Sequence, residues 1–140
     1  MAMRTFCVDS SVFLAALLTS DVTNAASQEY FRRVERESAE VRVFIPATVV
    51  LEVVNVLLKV DQRSAAEEFL QQLPSLEVVA IDDRFIEEAT KLLPRLRLKT
   101  ADAIVALTAA LNDAMLVTWD QQLLRQSKNI TAAATPDVAL

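Results

Sequence analysis

Short β-forming runs alternate with runs of helical length along this chain, and that alternation restricts the fold more than any other feature of the sequence. Residues Arg4 to Val8, RTFCV, read as a strand that breaks at Asp9-Ser10-Ser11 and resumes as an apolar helix to about Leu18. The same order recurs three times. Val41 to Ile45 leads through Pro46 into a helix from Ala47 to about Lys59; Leu76 to Ile81 leads through Asp82-Asp83 into a helix ending at Pro94; Ala114 to Trp119 leads through Asp120 into a short helix to about Gln126. Further helices are expected near residues 25–39, 61–73 and 100–111, with an edge strand at 130–134. Such strands need crossover connections, which are right-handed and lay helices on both faces of a parallel sheet. The expected fold class is therefore α/β, in a single domain spanning residues 1–140, a length that suits one domain.

The missing residue types narrow the chemistry. The chain has no His, which removes Ser-His-Asp and Cys-His nucleophile systems and imidazole acid–base pairs. It has no Gly, which removes phosphate-cradling glycine loops and the GxSxG elbow. Its single cysteine, Cys7, lies in a strand pattern, reads as core and cannot form an internal disulfide. Carboxylates, hydroxyls, amides, Lys and Arg remain, a set that suits hard cations held by oxygen. Without Gly, any positive φ in a turn must fall on Asn or Asp, and Asn24, Asn112-Asp113 and Asn129 are the candidates, in turn clusters that include Ser20 and Asp21. No apolar run reaches the ~18 uncharged residues of a membrane span, and the N-terminus turns polar too early for a secretory signal. The expected location is cytoplasmic.

Four acids stand at informative places. Asp9 and Asp120 each follow a strand and precede a helix, and Asp102 lies in the first turn of the helix TADAIVALTAAL. Each alone has a structural explanation, as a helix cap or a complement to the helix dipole. Glu52 interrupts a helix that reads as apolar almost all round, where a carboxylate must be paired, protonated or bound to a metal. In a parallel sheet, strand ends and helix starts share the carboxyl edge, where ligands bind. Carboxylates gathered there repel one another unless a cation lies between them or their pKa values rise. Oxygen-only ligation points to Mg²⁺ or Mn²⁺, ions that act chiefly on phosphoryl groups. The segment from Arg84 to Lys99 is locally basic, with Arg84, Lys91, Arg95, Arg97 and Lys99 against Glu87 and Glu88, in a chain of net charge -5. A solvated surface explains that segment, and so does contact with a phosphate backbone.

VDSSVFLAAL near the N-terminus, Glu52 in the middle, TADAIVALTAA and then LVTWDQQL together resemble the PIN-domain family, and at this length the VapC-like toxin ribonucleases of toxin–antitoxin pairs. The resemblance spans essentially the whole chain. It implies a three-layer α/β/α sandwich with a central parallel sheet and Mg²⁺- or Mn²⁺-dependent hydrolysis of RNA to 5′-phosphate and 3′-hydroxyl ends. The family's acidic quartet maps onto Asp9, Glu52, Asp102 and Asp120 as catalytic and metal-binding residues. Ser10 and Thr118 map onto hydroxyls that position a carboxylate or phosphate, with Arg95, Arg97 and Lys99 as candidates for the RNA backbone. A cognate antitoxin and a second copy of the chain are the implied protein partners. The chain departs from the family pattern at Asn112-Asp113, where a Gly is common, and at Trp119, a base-stacking candidate that reads more simply as a packing residue. A non-catalytic PIN scaffold that binds protein is the alternative function. Receiver-type and haloacid-hydrolase-type phosphoryl transfer are disfavoured, since Ser10 and Ser11 stand where those sites need acids.

Overall fold

The computed structural model describes residues 2–18 and 22–140. Five strands, β1 (Arg4–Val8), β2 (Val41–Pro46), β3 (Glu77–Val79), β4 (Met115–Val117) and β5 (Ala133–Ala134), form one sheet in the order β3-β2-β1-β4-β5. Every pairing is parallel. The chain builds outward from β1 through β2 to β3, then returns to the other side of β1 for β4 and β5. Strand order thus reverses between β1 and β4, the place where open α/β sheets leave a crevice beyond the strand ends.

The helices are α1 (Ser10–Leu17), α2 (Thr23–Arg36), α3 (Ala47–Lys59), α4 (Arg63–Gln72), α5 (Asp83–Leu92), α6 (Thr100–Leu111), α7 (Gln121–Ser127) and α8 (Pro136–Ala139). They cover both faces of the sheet, as adjacent residues of β1 show. The Phe6 ring meets the Tyr30 ring of α2 edge-on at 6.0 Å, whereas the Cys7 thiol donates to the Val105 carbonyl of α6 at 3.7 Å. Successive strand side chains point to opposite faces, so α2 and α6 lie on opposite sides. This is the expected α/β/α sandwich. Phe13 of α1 joins two helices to the core by stacking on Phe31 at 4.9 Å and meeting Phe69 at 5.2 Å.

Several boundaries moved. Helix α2 starts at Thr23 and ends at Arg36, and the turn expected at Ser20-Asp21 lies outside the described residues. Asn24 belongs to the helix, where its amide donates to the carbonyls of Ala15 and Leu18 at 2.8 and 2.9 Å and closes the end of α1. Positive φ falls instead on Asp61 (57°) and Asp113 (49°), so the Asn112-Asp113 turn was located correctly while Asp61 was not foreseen. Strands β3, β4 and β5 are shorter than their apolar runs.

Helix α3 corrects a larger expectation. It is buried along one stripe only, Val49, Val53 and Leu57, while Leu51 is 72% and Leu58 46% exposed. Residues four apart share a face, so a single contact stripe leaves the opposite side outside the fold however apolar it is. Glu52, on the exposed side, is not a buried carboxylate.

Candidate active site

Backbone geometry brings the first acid to the crevice. The ladder of β1 continues one residue past the strand, with the Asp9 amide donating to the Val117 carbonyl at 3.0 Å, and Asp9 then caps α1 with extended backbone. Its side chain is held in the interior, 5% exposed. The Oδ2 atom accepts the Thr118 hydroxyl at 2.8 Å and, more weakly, the Ser11 amide at 3.4 Å.

Thr118 is the node of the crevice. Fully buried just past β4, its Oγ1 also accepts the Asp120 amide at 3.0 Å and lies 3.2 Å from the Ser11 hydroxyl. Ser11 in turn accepts the Trp119 amide at 3.0 Å. The elbow after β1 and the elbow after β4 are therefore stitched together by side chains 107 to 109 positions apart. Ser11 was not singled out from the sequence; its place in the Asp-Ser-Ser elbow was the available signal. Trp119 is half-buried against the core, and its indole N–H donates to the buried Ser27 hydroxyl at 2.8 Å. That contact favours packing over base stacking for the indole, and Ser27, remote in sequence, carried no signal of it.

The other acids reach the same edge from separate elements. Asp120 caps α7, its Oδ1 accepting the Leu123 amide at 3.0 Å. Asp102 sits in the first turn of α6 and makes the telling electrostatic contact: burial first, then the carboxylates of Asp120, Asp9 and Glu52, raise its pKa above the ordinary carboxylate value, against a smaller downward pull from Lys99. Glu52 Oε1, from α3, accepts a short hydrogen bond from the Ser10 hydroxyl. The other three acids thus lie within electrostatic reach of Asp102. Among the described residues, no group of three stands close enough to hold one metal ion as placed.

The donor set nonetheless suits a hard divalent cation. It is oxygen only, and Asp9 Oδ1, Asp120 Oδ2 and Glu52 Oε2 lie outside the hydrogen bonds just described. Hydroxyls behind ligating carboxylates, as Thr118 and Ser10 stand here, fix ligand orientation. Burial raises the pKa of Asp102 first, and repulsion from Asp120, Asp9 and Glu52 adds to it; a cation would relieve the second part. Arg95, Arg97 and Lys99 are exposed on the segment that leads into α6.

Residues 6–129 match the family described as PIN domain. Solved structures with this fold include FitAcB from Neisseria gonorrhoeae, with 19% identity and a TM-score of 0.72 over 94% of this chain and 97% of that one. VapBC2 from Rickettsia felis, bound to a DNA fragment from its promoter, has 17% identity and a TM-score of 0.68 over 94% and 98%. Mycobacterium tuberculosis VapC20, a sarcin-ricin loop cleaving toxin, has 14% identity and a TM-score of 0.67 over 84% and 92%. At these identities the likeness is one of fold. Among curated proteins, no sequence matches this chain.

Proposed function

Because this chain belongs to the PIN-domain family, we propose that it is a Mg²⁺- or Mn²⁺-dependent endoribonuclease acting as the toxin of a type II toxin–antitoxin pair. The observation that carries the reading is the electrostatic coupling of Asp102 to Asp9, Glu52 and Asp120, four acids from four elements at the reversal of strand order. Capping accounts for Asp9 and Asp120 each at its own helix, but not for Asp102 and Glu52 lying near them.

In this reading Asp9, Asp102 and Asp120 hold the metal, directly or through water, and Glu52 is a ligand or the base that orients the attacking water. When bound, the metal would stabilise charge on the phosphoryl oxygens. Thr118 holds Asp9 and the Asp120 backbone in one register, and Ser10 steadies Glu52. Glu52 takes a proton from water as its oxygen bonds to phosphorus. The 3′-oxygen leaves and is protonated from solvent, giving a 3′-hydroxyl and a 5′-phosphate.

A cognate antitoxin is the proposed partner, supported by structural relatives that are toxin–antitoxin complexes. A groove of about 680 Å³, lined by apolar residues such as Phe13, Phe31 and Leu76 and by charged ones, Arg32, Glu35 and Glu68, suits an amphipathic segment of such a partner. A second copy of the chain is proposed to cover the exposed apolar side of α3, where Leu51 and Leu58 lie open. Among the described residues, no helix is long and apolar enough to cross a membrane, in keeping with the proposed cytoplasmic location.

The test is calorimetric titration of Mn²⁺ into the partner-free protein and into Asp102→Asn, followed by incubation of both with a mixed RNA pool and analysis of the new ends. Metal binding with cleavage to 5′-phosphate ends, both lost in the variant, is expected. If Mn²⁺ binds neither protein and the RNA stays intact, the acids are structural and the chain is a protein-binding PIN scaffold.

A further inference from the structure

The basic residues ahead of α6 have a continuation that the sequence did not reveal. From Arg95 to Lys99 exposure alternates: Leu96 and Leu98 turn toward the core, and Arg95, Arg97 and Lys99 face outward. Arg95 ends the short 3-10 turn Leu93–Arg95, Leu96 and Lys99 have extended backbone and the chain bends at Leu98, so the three cations lie within at most about 13 Å of one another along the chain.

Helix α7 holds this segment in place. The Gln126 side chain accepts the Arg97 amide at 3.0 Å, and the Asn129 amide donates to the Arg95 carbonyl at 3.2 Å. Gln126 lies in α7 and Asn129 in the turn just beyond it, so the two contacts pair rising positions at the C-terminal end of α7 with falling positions on the segment, which runs antiparallel to the helix there. Moving from Arg95 to Lys99 therefore moves back up α7 toward Asp120 at its start, and Lys99 ends beside Asp102 as the cap of α6. Arg125 and Lys128 each precede one of the two anchoring residues. They share a face three positions apart and are both exposed, bordering the same seam.

The charge on this surface is one-sided. Residues 93–99 and 121–131 contain five Lys and Arg and no acid, in a chain with 14 Lys and Arg against 19 Asp and Glu. Elsewhere several exposed cations are paired, Arg32 and Arg36 with Glu29, Arg42 with Glu77 and Lys91 with Glu88. Lys59, Arg63 and Arg84, unpaired among the described residues, stand beside acids in sequence, the first two flanking Asp61 and the third following Asp83. Among the described residues, Arg95, Arg97, Lys99, Arg125 and Lys128 form no ion pair. Such a patch on an acidic protein concentrates anions locally.

We infer that Arg95, Arg97, Lys99, Arg125 and Lys128 form one phosphate track that carries a single RNA strand along the α7 seam to the Asp102 end of the site. The inference rests on the ribonuclease reading above and adds the direction of approach and the residues that define it. One strand is favoured over a duplex because the two lines of cations, on the segment and at the end of α7, border a single seam between them. The contacts go to phosphates, so they position the strand and carry no base preference.

The test measures binding of a labelled single-stranded 12-mer RNA by fluorescence anisotropy across a KCl series, in EDTA so that cleavage cannot intervene. The full chain is compared with Arg95→Gln/Arg97→Gln, with Arg125→Gln/Lys128→Gln and with all four together. Each phosphate contact removed should lower the slope of log K against log salt by about 0.7, so each pair loses about 1.4 and the four together about 2.8. A charge-matched Arg32→Gln/Arg36→Gln protein should keep the full slope. An unchanged slope in the fourfold variant, or equal losses in the charge-matched control, would overturn the track. So would tighter binding of the duplex form, or displacement of the RNA by a polyglutamate peptide at equal charge, which would instead mark a seat for an acidic protein segment. The readout is independent of catalysis. A protein that cleaves RNA but keeps its slope in the fourfold variant loses only the track, and one that binds along the track but never cleaves loses only the nuclease reading.

Discussion

Thr118→Val removes one hydroxyl from the centre of the site and keeps the shape of the side chain. The hydroxyl donates to Asp9 Oδ2 at 2.8 Å and accepts the Asp120 amide at 3.0 Å, in surroundings where Thr118 is 0% and Asp9 5% exposed. A hydrogen bond to a charged group contributes roughly 1.5–3 kcal/mol, and an amide left without a partner adds about 1 kcal/mol. The burial of an apolar methyl in place of the hydroxyl returns part of this, for a net loss of about 2–4 kcal/mol. At this chain length about 3 °C of Tm corresponds to 1 kcal/mol, so thermal melts followed by circular dichroism should fall by about 6–12 °C. Thr118→Ser keeps the hydroxyl and loses a buried methyl, which costs about 1 kcal/mol, or about 3 °C. The order wild type, Ser, Val is the signature of a hydrogen-bonded node. If Ser melts below Val, packing of the methyl dominates and the node holds nothing. The same node orients Asp9, so Val should also weaken Mn²⁺ binding about 10- to 100-fold while Ser leaves it near wild type.

Asp102 supplies a pH dependence. Its folded-state pKa is raised above its ordinary value of 3.8 by burial and by Asp120, Asp9 and Glu52, so above that value the native state binds more protons than the unfolded chain. Stability from this group is therefore fully present below 3.8 and is lost as pH rises through the folded-state value. In EDTA, Asp102→Asn should melt above wild type at neutral pH, with the gap closing below the ordinary carboxylate range; a variant that melts lower at neutral pH would show that the acid is stabilising where it stands. Tyr30 makes a separate case, since it is 2% exposed and its buried hydroxyl has no hydrogen-bond partner among the described residues. Tyr30→Phe should raise stability by up to about 1 kcal/mol in urea unfolding, and a clear loss would mean that the hydroxyl is satisfied.

Local signals made much of this protein legible. Patterns of helical period place α3 from Ala47 to about Lys59 and α6 near residues 100–111, where the structure has Ala47–Lys59 and Thr100–Leu111, and capping chemistry marks Asp9, Asp82 and Asp120 as helix starts. Errors arose where an apolar run was taken as a measure of burial. Leu51 and Leu58 are as apolar as Leu57, but only one stripe of α3 meets the fold, and which stripe depends on neighbours elsewhere in the chain. Glu52 is accordingly an exposed carboxylate that accepts a hydrogen bond from Ser10, and not the buried one that its apolar neighbours in sequence suggest.

By itself the sequence determined the α/β class, the four acids and the exclusion of histidine, glycine-loop and disulfide chemistry. These follow from residue type and spacing, which act over a few positions. The tertiary structure alone decided the strand order β3-β2-β1-β4-β5, and with it the crevice between β1 and β4. It also decided that Thr118 would bridge Asp9 and the Asp120 backbone, that Ser11 would complete the bridge, and that Gln126 and Asn129 would hold the Arg95–Lys99 segment beside α7. Apart from the local contact of Thr118 with the Asp120 amide, these join positions 29 to 109 residues apart. No local periodicity reports them, because packing of the whole sheet and its helices sets them.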